Sequence, residues 1–136
     1  MDFVKSIAIA ASGLRAQAGR MRVLSENIAN ADSTAQTPGE DPYRRRIPTF
    51  TSTLDRELDA RTVSLGPVAL DKAKFTEKYQ PGHPAANAQG YVKFPNINSL
   101  VETTDMREAQ RSYEANVNVI GAARRMISRT LDILKS

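Results

Sequence analysis

The chain has 136 residues, a hydrophobic fraction of 40%, an aromatic fraction of 6% and a formal net charge of +4. That length makes one ordinary domain or two small pieces, and the lack of tryptophan leaves few large core anchors. The absence of cysteine excludes structural disulfides, cysteine nucleophiles and thiolate metal sites.

The positive charge is spread evenly. Residues 1–37 carry four basic and three acidic side chains, residues 38–99 nine and seven, and residues 100–136 six and five. No segment is a strong electrostatic footprint, so neither nucleic acid nor a membrane surface is an expected partner. No run is long and apolar enough to span a bilayer. The apolar patch Ile7 to Ala11 is short, and Asp2 stands where a signal peptide would be basic. If the protein leaves the cytoplasm, the expectation is export without a cleaved signal.

Residues 1 to about 30 predict a helix. Ile7, Leu14, Met21 and Ile28 repeat every seven residues, and Phe3, Ala10, Ala11, Ala18 and Leu24 fill the intervening stripe. Gly13 and Gly19 each cost up to ~1 kcal/mol against alanine, but on an alanine-rich face they permit close backbone approach. Most helical stability comes from packing, so this segment is expected to order only against a partner. The helix ends at Asn27-Ile28-Ala29-Asn30-Ala31-Asp32-Ser33-Thr34, where short polar side chains compete with the helix for backbone hydrogen bonds.

All seven prolines lie between Pro38 and Pro95. The chain thus divides into a helix with its hinge over 1–37, a Pro-rich β insert over 38–99 and a second helix over 100–136. Thr37 to Pro42 is a loop. Tyr43 to Phe50 reads as extended, confined to an edge by Pro48. Thr53 to Arg61 is charged and ambiguous, and a short helical turn is the reading offered. Thr62 to Leu65 reads as a strand stopped by Gly66-Pro67, Val68 to Tyr79 as one strand with a solvated face, and Gly90 to Phe94 as another short strand. Gln80-Pro81-Gly82-His83-Pro84 between them is a tight loop.

From Leu100 to Ser136 there is no proline and one glycine, Gly121. Met106, Ala109, Tyr113, Val117, Ile120, Ala123, Ile127, Leu131 and Leu134 follow at steps of three or four, the stripe of an α-helix roughly 50 Å long. Met106, Tyr113, Ile120, Ile127 and Leu134 repeat every seven residues, as a partner helix at a shallow crossing angle requires. The remaining chain is too short to surround such a helix. The expected architecture is mainly α: two long terminal helices around a short-stranded β-rich insert, with apolar helix surface left over for assembly.

Little in the sequence carries chemistry. His83 has no second histidine or cysteine to complete a metal site, and no serine or aspartate motif completes a triad. A hydrogen bond that fixes its loop is the better reading. Asp55, Glu57 and Asp59 alternate with Arg56 and Arg61, which reads as a solvated face rather than an acid–base pair. Tyr43 with Arg44-Arg45-Arg46 could stack on bases and neutralise phosphates, but a lone basic triplet better suits a protected edge or an interface. Neither catalytic nor cofactor or metal residues are expected, nor a small-molecule substrate.

Several segments together resemble the bacterial flagellar rod and hook proteins. They are Ala11-Ser12-Gly13-Leu14-Arg15-Ala16-Gln17, then Arg20-Met21-Arg22-Val23, then Asn27 to Thr34 with its N-I-A-N run. Within that group the proximal rod subunits are the nearest in pattern, through Pro42-Tyr43-Arg44-Arg45, Pro81 to Pro84, Gly90-Tyr91-Val92, Pro95 to Asn98, Arg111 to Asn116 and Thr130 to Leu134. The resemblance covers nearly the whole chain. Asn87, Gln80 and Ser33 depart from it, and Thr51 to Thr62 matches little of it.

The resemblance implies a non-enzymatic structural subunit of the basal-body rod, in the periplasm, carrying torque from the membrane ring to the hook. It implies terminal helices paired as a coiled-coil-like inner domain, and export through the flagellar type III apparatus. The implied partners are further copies, other rod proteins, and the membrane-ring and rod-base proteins. Ile7, Leu14, Met21, Asn27, Ile28 and Asn30 on the first helix are the expected assembly residues there. On the second they are Met106, Tyr113, Asn116, Ile120, Ile127, Leu131 and Leu134. Tyr43, Arg44, Arg45, Arg46 and His83 are the expected lateral contacts. Another axial subunit of the same export system, or a small basic nucleic-acid binder, are the alternatives.

Overall fold

The computed structural model describes residues 2–136. Helix α1 spans Phe3–Ala29 and helix α2 spans Ser99–Lys135, with short antiparallel strands between them. Asp2 caps α1, its carboxylate accepting the Lys5 N–H at 3.1 Å. Asn98 caps α2 in the same way, its side-chain oxygen accepting the Leu100 N–H at 3.0 Å. At the end of α1, Asn30 turns its amide back onto the Glu26 carbonyl at 2.8 Å. The asparagine-rich stretch therefore stops the helix as its chemistry predicts.

The six strands form three two-stranded antiparallel ladders. Strand β1 (Arg46–Ile47) pairs with β4 (Ala69–Leu70), β2 (Phe50–Asp55) with β3 (Ala60–Leu65), and β5 (Thr76–Tyr79) with β6 (Tyr91–Phe94). Two readings of the middle segment change. Thr53 to Arg61 is the arm and tip of a hairpin, not a helical turn. Asp55 accepts the N–H groups of Glu57 and Leu58 at 3.0 and 3.2 Å, and Asp59 takes a left-handed φ of 47°. This local side-chain closure lets a charged tip turn without glycine. Val68 to Tyr79 is not one strand either. Asp71 breaks it by accepting the Ala73 N–H at 2.9 Å, leaving β4 and β5 as separate pieces.

Contacts divide the chain into two compact units. One holds residues 1–21, 49–67 and 107–136; the other holds 22–48 and 68–106. Each helix thus contributes to both units. In the first, Ala10, Ser12 and Ala16 of α1 and Ala109 and Ala123 of α2 are buried. Glycine sets the closeness of the helices there. A Cβ on Gly13 would lie 2.7 Å from the Asn116 amide nitrogen, and one on Gly19 would lie 2.9 Å from Leu65 of β3. The Val63 N–H donates to the Ser12 hydroxyl at 3.2 Å, so β3 lies along α1. In the second unit Val23, Leu24, Val92 and Phe94 make the apolar core.

Candidate functional site

The most concentrated arrangement of polar groups is a buried clasp around Asn27, wholly within the second unit. Asn27 and Glu102 are both 0% exposed. A buried carboxamide must find partners for each of its groups, and Asn27 does. Its Oδ1 accepts the Arg46 N–H and the Tyr43 hydroxyl, both at 3.0 Å. Its Nδ2 donates to the Arg46 carbonyl at 2.8 Å and to Glu102 Oε2 at 3.1 Å. One side chain on α1 thereby holds both backbone groups of a β1 residue, a tyrosine of the preceding loop and a carboxylate of α2.

Glu102 is neutralised by Arg45, whose Nε donates to Oε1. The same guanidinium meets Asp71 at 3.2 Å and Asp105 at 3.9 Å. The Arg45 N–H donates to Asn96 Oδ1 at 2.9 Å. Asn96 and Arg44 in turn both donate to the carbonyls of Asp71 and Ala73, at 2.8 to 3.2 Å. The electrostatics follow this geometry. Asp71 is held below the ordinary carboxylate value, first by the Ala73 N–H and then by Arg45. Burial opposes the charge of Arg45, yet its bonds to Glu102 and Asp71 outweigh that and raise it. The Tyr43 hydroxyl is raised, chiefly by burial.

The three consecutive arginines thus have three different surroundings. Arg45 is turned into the clasp, Arg44 stacks over Phe75 at 4.1 Å, and Arg46 reaches Glu26 at 3.2 Å and lies 5.8 Å from the Tyr43 ring. His83 ties two loops together: its Nδ1 accepts the Ala85 N–H at 3.0 Å and its Nε2 lies 3.3 Å from the Thr34 hydroxyl. With Nδ1 an acceptor, Nε2 carries the proton and donates to Thr34.

The expected helix residues do not all share one environment. Ile7, Leu14 and Met21 are half-buried and Ile28 is exposed, because the buried line of α1 runs through Ala16, Val23, Leu24 and Asn27 instead. On α2 the buried line is Glu102, Ala109 and Ala123, with Asn116 half-buried in the same seven-residue series. Met106, Tyr113, Ile120 and Ile127 flank it half-buried, and Leu131 and Leu134 are exposed. On α2, small and polar side chains hold the innermost positions and the large apolar ones ride on the flanks. Sequence reading did not single out Glu102, Asp71 or Asn96. The available signal was Glu102 itself, a carboxylate in seven-residue register with Ala109, Asn116 and Ala123.

Nothing in this arrangement offers a reacting centre. Among the described residues no group of three His, Asp or Glu side chains could hold a metal ion, and no helix is long and apolar enough to cross a membrane. The clasp joins parts of the chain, as a structural protein requires. Comparison with known proteins agrees. Residues 7–35 match the family model for flagella basal body rod proteins, and residues 88–133 match that for the C-terminal part of the flagellar basal body rod FlgEFG proteins. The FlgC flagellar basal-body rod protein of Agrobacterium fabrum is 50% identical over 128 residues, covering 94% of this chain and 92% of its own.

The chain belongs to the FlgC family of flagellar basal-body rod proteins. The FlgC protein of Bacillus subtilis is 37% identical over 150 residues, covering 99% of this chain and all of its own. That of Escherichia coli O6:H1 is 37% identical over 125 residues, covering 92% of each. As an FlgC-family member the protein is a structural subunit of the basal-body rod and not an enzyme, and it assembles with other rod and basal-body proteins. Of the clasp residues, Asn27 and Glu102 each fall in a family-matched stretch, one in each.

Proposed function

We propose that this rod subunit joins its neighbours through the apolar flanks of α1 and α2, which pair as a coiled-coil-like inner domain over residues 1–37 and 100–136. The observation that carries this reading is that α2 outruns α1. Gly13 sits against Asn116 and Arg20 pairs with Glu108 at 3.7 Å, so the helices run in opposite directions. Carried back to Phe3, that register runs out near Met126. Beyond it Leu131, Ile133 and Leu134 are 51%, 73% and 76% exposed, a surface that a neighbouring subunit would cover.

In this reading the subunit reaches the periplasm through the flagellar export apparatus with its terminal segments still mobile. They order on docking, and buried interface offsets the ordering cost. Contacts that repeat without closing build a rod, and the rod carries torque from the membrane ring to the hook. Further copies, other rod proteins and the ring and rod-base proteins are its neighbours, with Tyr43, Arg46 and His83 at lateral contacts. The clasp contributes rigidity where helix and insert meet. Substituting Ile120→Asp or Leu134→Asp is expected to abolish incorporation into basal bodies while the isolated chain keeps its helical content. Normal rods from either variant would sink the proposal.

A further inference from the structure

Strand β2 is an open edge of an unusual kind. Among the described residues its only ladder partner is β3. The Val63 N–H points away from β2, since it donates to Ser12 of α1. Val63 faces Ser52 in the register, and opposed residues in an antiparallel ladder alternate between bonded and non-bonded pairs. Phe50, Ser52 and Leu54 are therefore the non-bonded members, and their N–H and C=O groups point outward along the free edge. Natural proteins blunt such edges with charge, proline or a bulge. Phe50-Thr51-Ser52-Thr53-Leu54 has no charge and no proline, and its register with β3 is unbroken. Phe50 and Leu54 are 42% and 52% exposed on it. The exposed side chain of Arg61 covers part of it, reaching the Ser52 hydroxyl at 3.1 Å and carbonyl at 3.4 Å. Both family models leave this hairpin outside their matched stretches.

We propose that the free edge of β2 takes up the β5 strand, Thr76–Tyr79, of a second copy of this chain. The inference rests on the rod-subunit reading, which brings copies side by side. The chain supplies the complementary piece. Among the described residues strand β5 is paired only to β6, and it is exposed at all four of its residues. It belongs to the other compact unit. Joining two unlike edges makes a head-to-tail contact that leaves a free edge on each copy for the next, whereas two β2 edges joined to each other would close a dimer and stop growth. Docking displaces the Arg61 side chain from Ser52, freeing it for Glu77 of the incoming strand.

The test uses the lack of cysteine in the chain. A benzophenone label at Thr53→Cys, in basal bodies assembled from the full chain, is expected to crosslink to residues 76–79 of a second copy, as read by mass spectrometry. Crosslinking to a different rod protein, to another segment of a second copy, or to nothing would overturn the proposal. A label at Ser128→Cys, exposed on α2, in parallel reports the helix contacts, so loss of the β2 product alone leaves the rod-subunit reading standing. Ser52→Pro removes an outward N–H without costing a ladder bond, and is expected to lower the crosslinked fraction about fivefold, the factor for one net hydrogen bond. Leu54→Lys, which blunts the edge without touching the backbone, is expected to act in the same direction. An undiminished product from both variants would also overturn the proposal.

Discussion

Asn27 is the residue whose loss the fold can least absorb. Truncation to alanine orphans the Arg46 N–H and C=O, the Tyr43 hydroxyl and one oxygen of Glu102. Asn27→Ala is expected to cost about 2–4 kcal/mol, read as a lowered midpoint in urea unfolding. Glu102→Leu takes one of three carboxylates from Arg45 and the Oε2 acceptor from Asn27, and is expected to cost about 2–3 kcal/mol by the same measurement. Asp71 contributes to stability on the acid side. Its folded-state pKa lies below the ordinary 3.8, so its contribution is present above that value and is lost as pH falls through the depressed one. Asp71→Asn is therefore expected to lower stability at neutral pH and to flatten its fall in acid below pH 3.8. A variant whose acid unfolding matches the parent's would show that Asp71 is not the group responsible. Asn27 was legible in the sequence as part of a helix-ending run and a family signature. Its four bonds were not, because its three partner residues lie in a loop, on β1 and on α2, well along the chain.

At the scale of elements, α1, α2 and β6 follow from local rules: seven-residue spacing, caps, and alternation between prolines. The middle hairpin resisted reading because Asp55 and Asp59 close its tip by side-chain bonding and a left-handed turn instead of a glycine pair. The β5–β6 hairpin depends on Gly90, which has a φ of 87° and lies under Tyr79. A Cβ there would meet the Tyr79 ring at 2.8 Å, where that ring stands edge-on to Tyr91 at 5.4 Å. Gly90→Ala is expected to destabilise the protein by about 1–3 kcal/mol through both strain and the displaced ring. Calorimetry against a Gly82→Ala control, whose added Cβ meets nothing within 4 Å, separates this local effect from a general loss of glycine.

For the whole molecule the decisive feature is the mismatch between a long α2 and a shorter α1, with large apolar side chains on the flanks of both. In the isolated subunit, amide exchange is expected to be fast beyond Met126 and at the start of α1, and slow around Asn27 and Glu102, where the clasp closes. Strong protection throughout residues 1–30 in a monomer would contradict mobile termini. The sequence by itself determined the two helices and the proline-bounded middle, because helix periodicity and proline placement act within a few turns of chain. The family, too, was legible in short runs such as Asn27 to Asn30 and Arg111 to Asn116. Only the tertiary structure decided that the buried line of α2 runs through Glu102 and Ala109 instead of through Met106 and Tyr113, and that Arg45 turns inward. The physical reason is pairing: which side chain is buried depends on what stands opposite it, and the carboxylate of Glu102 can be buried only where Arg45 and Asn27 arrive from elsewhere in the chain.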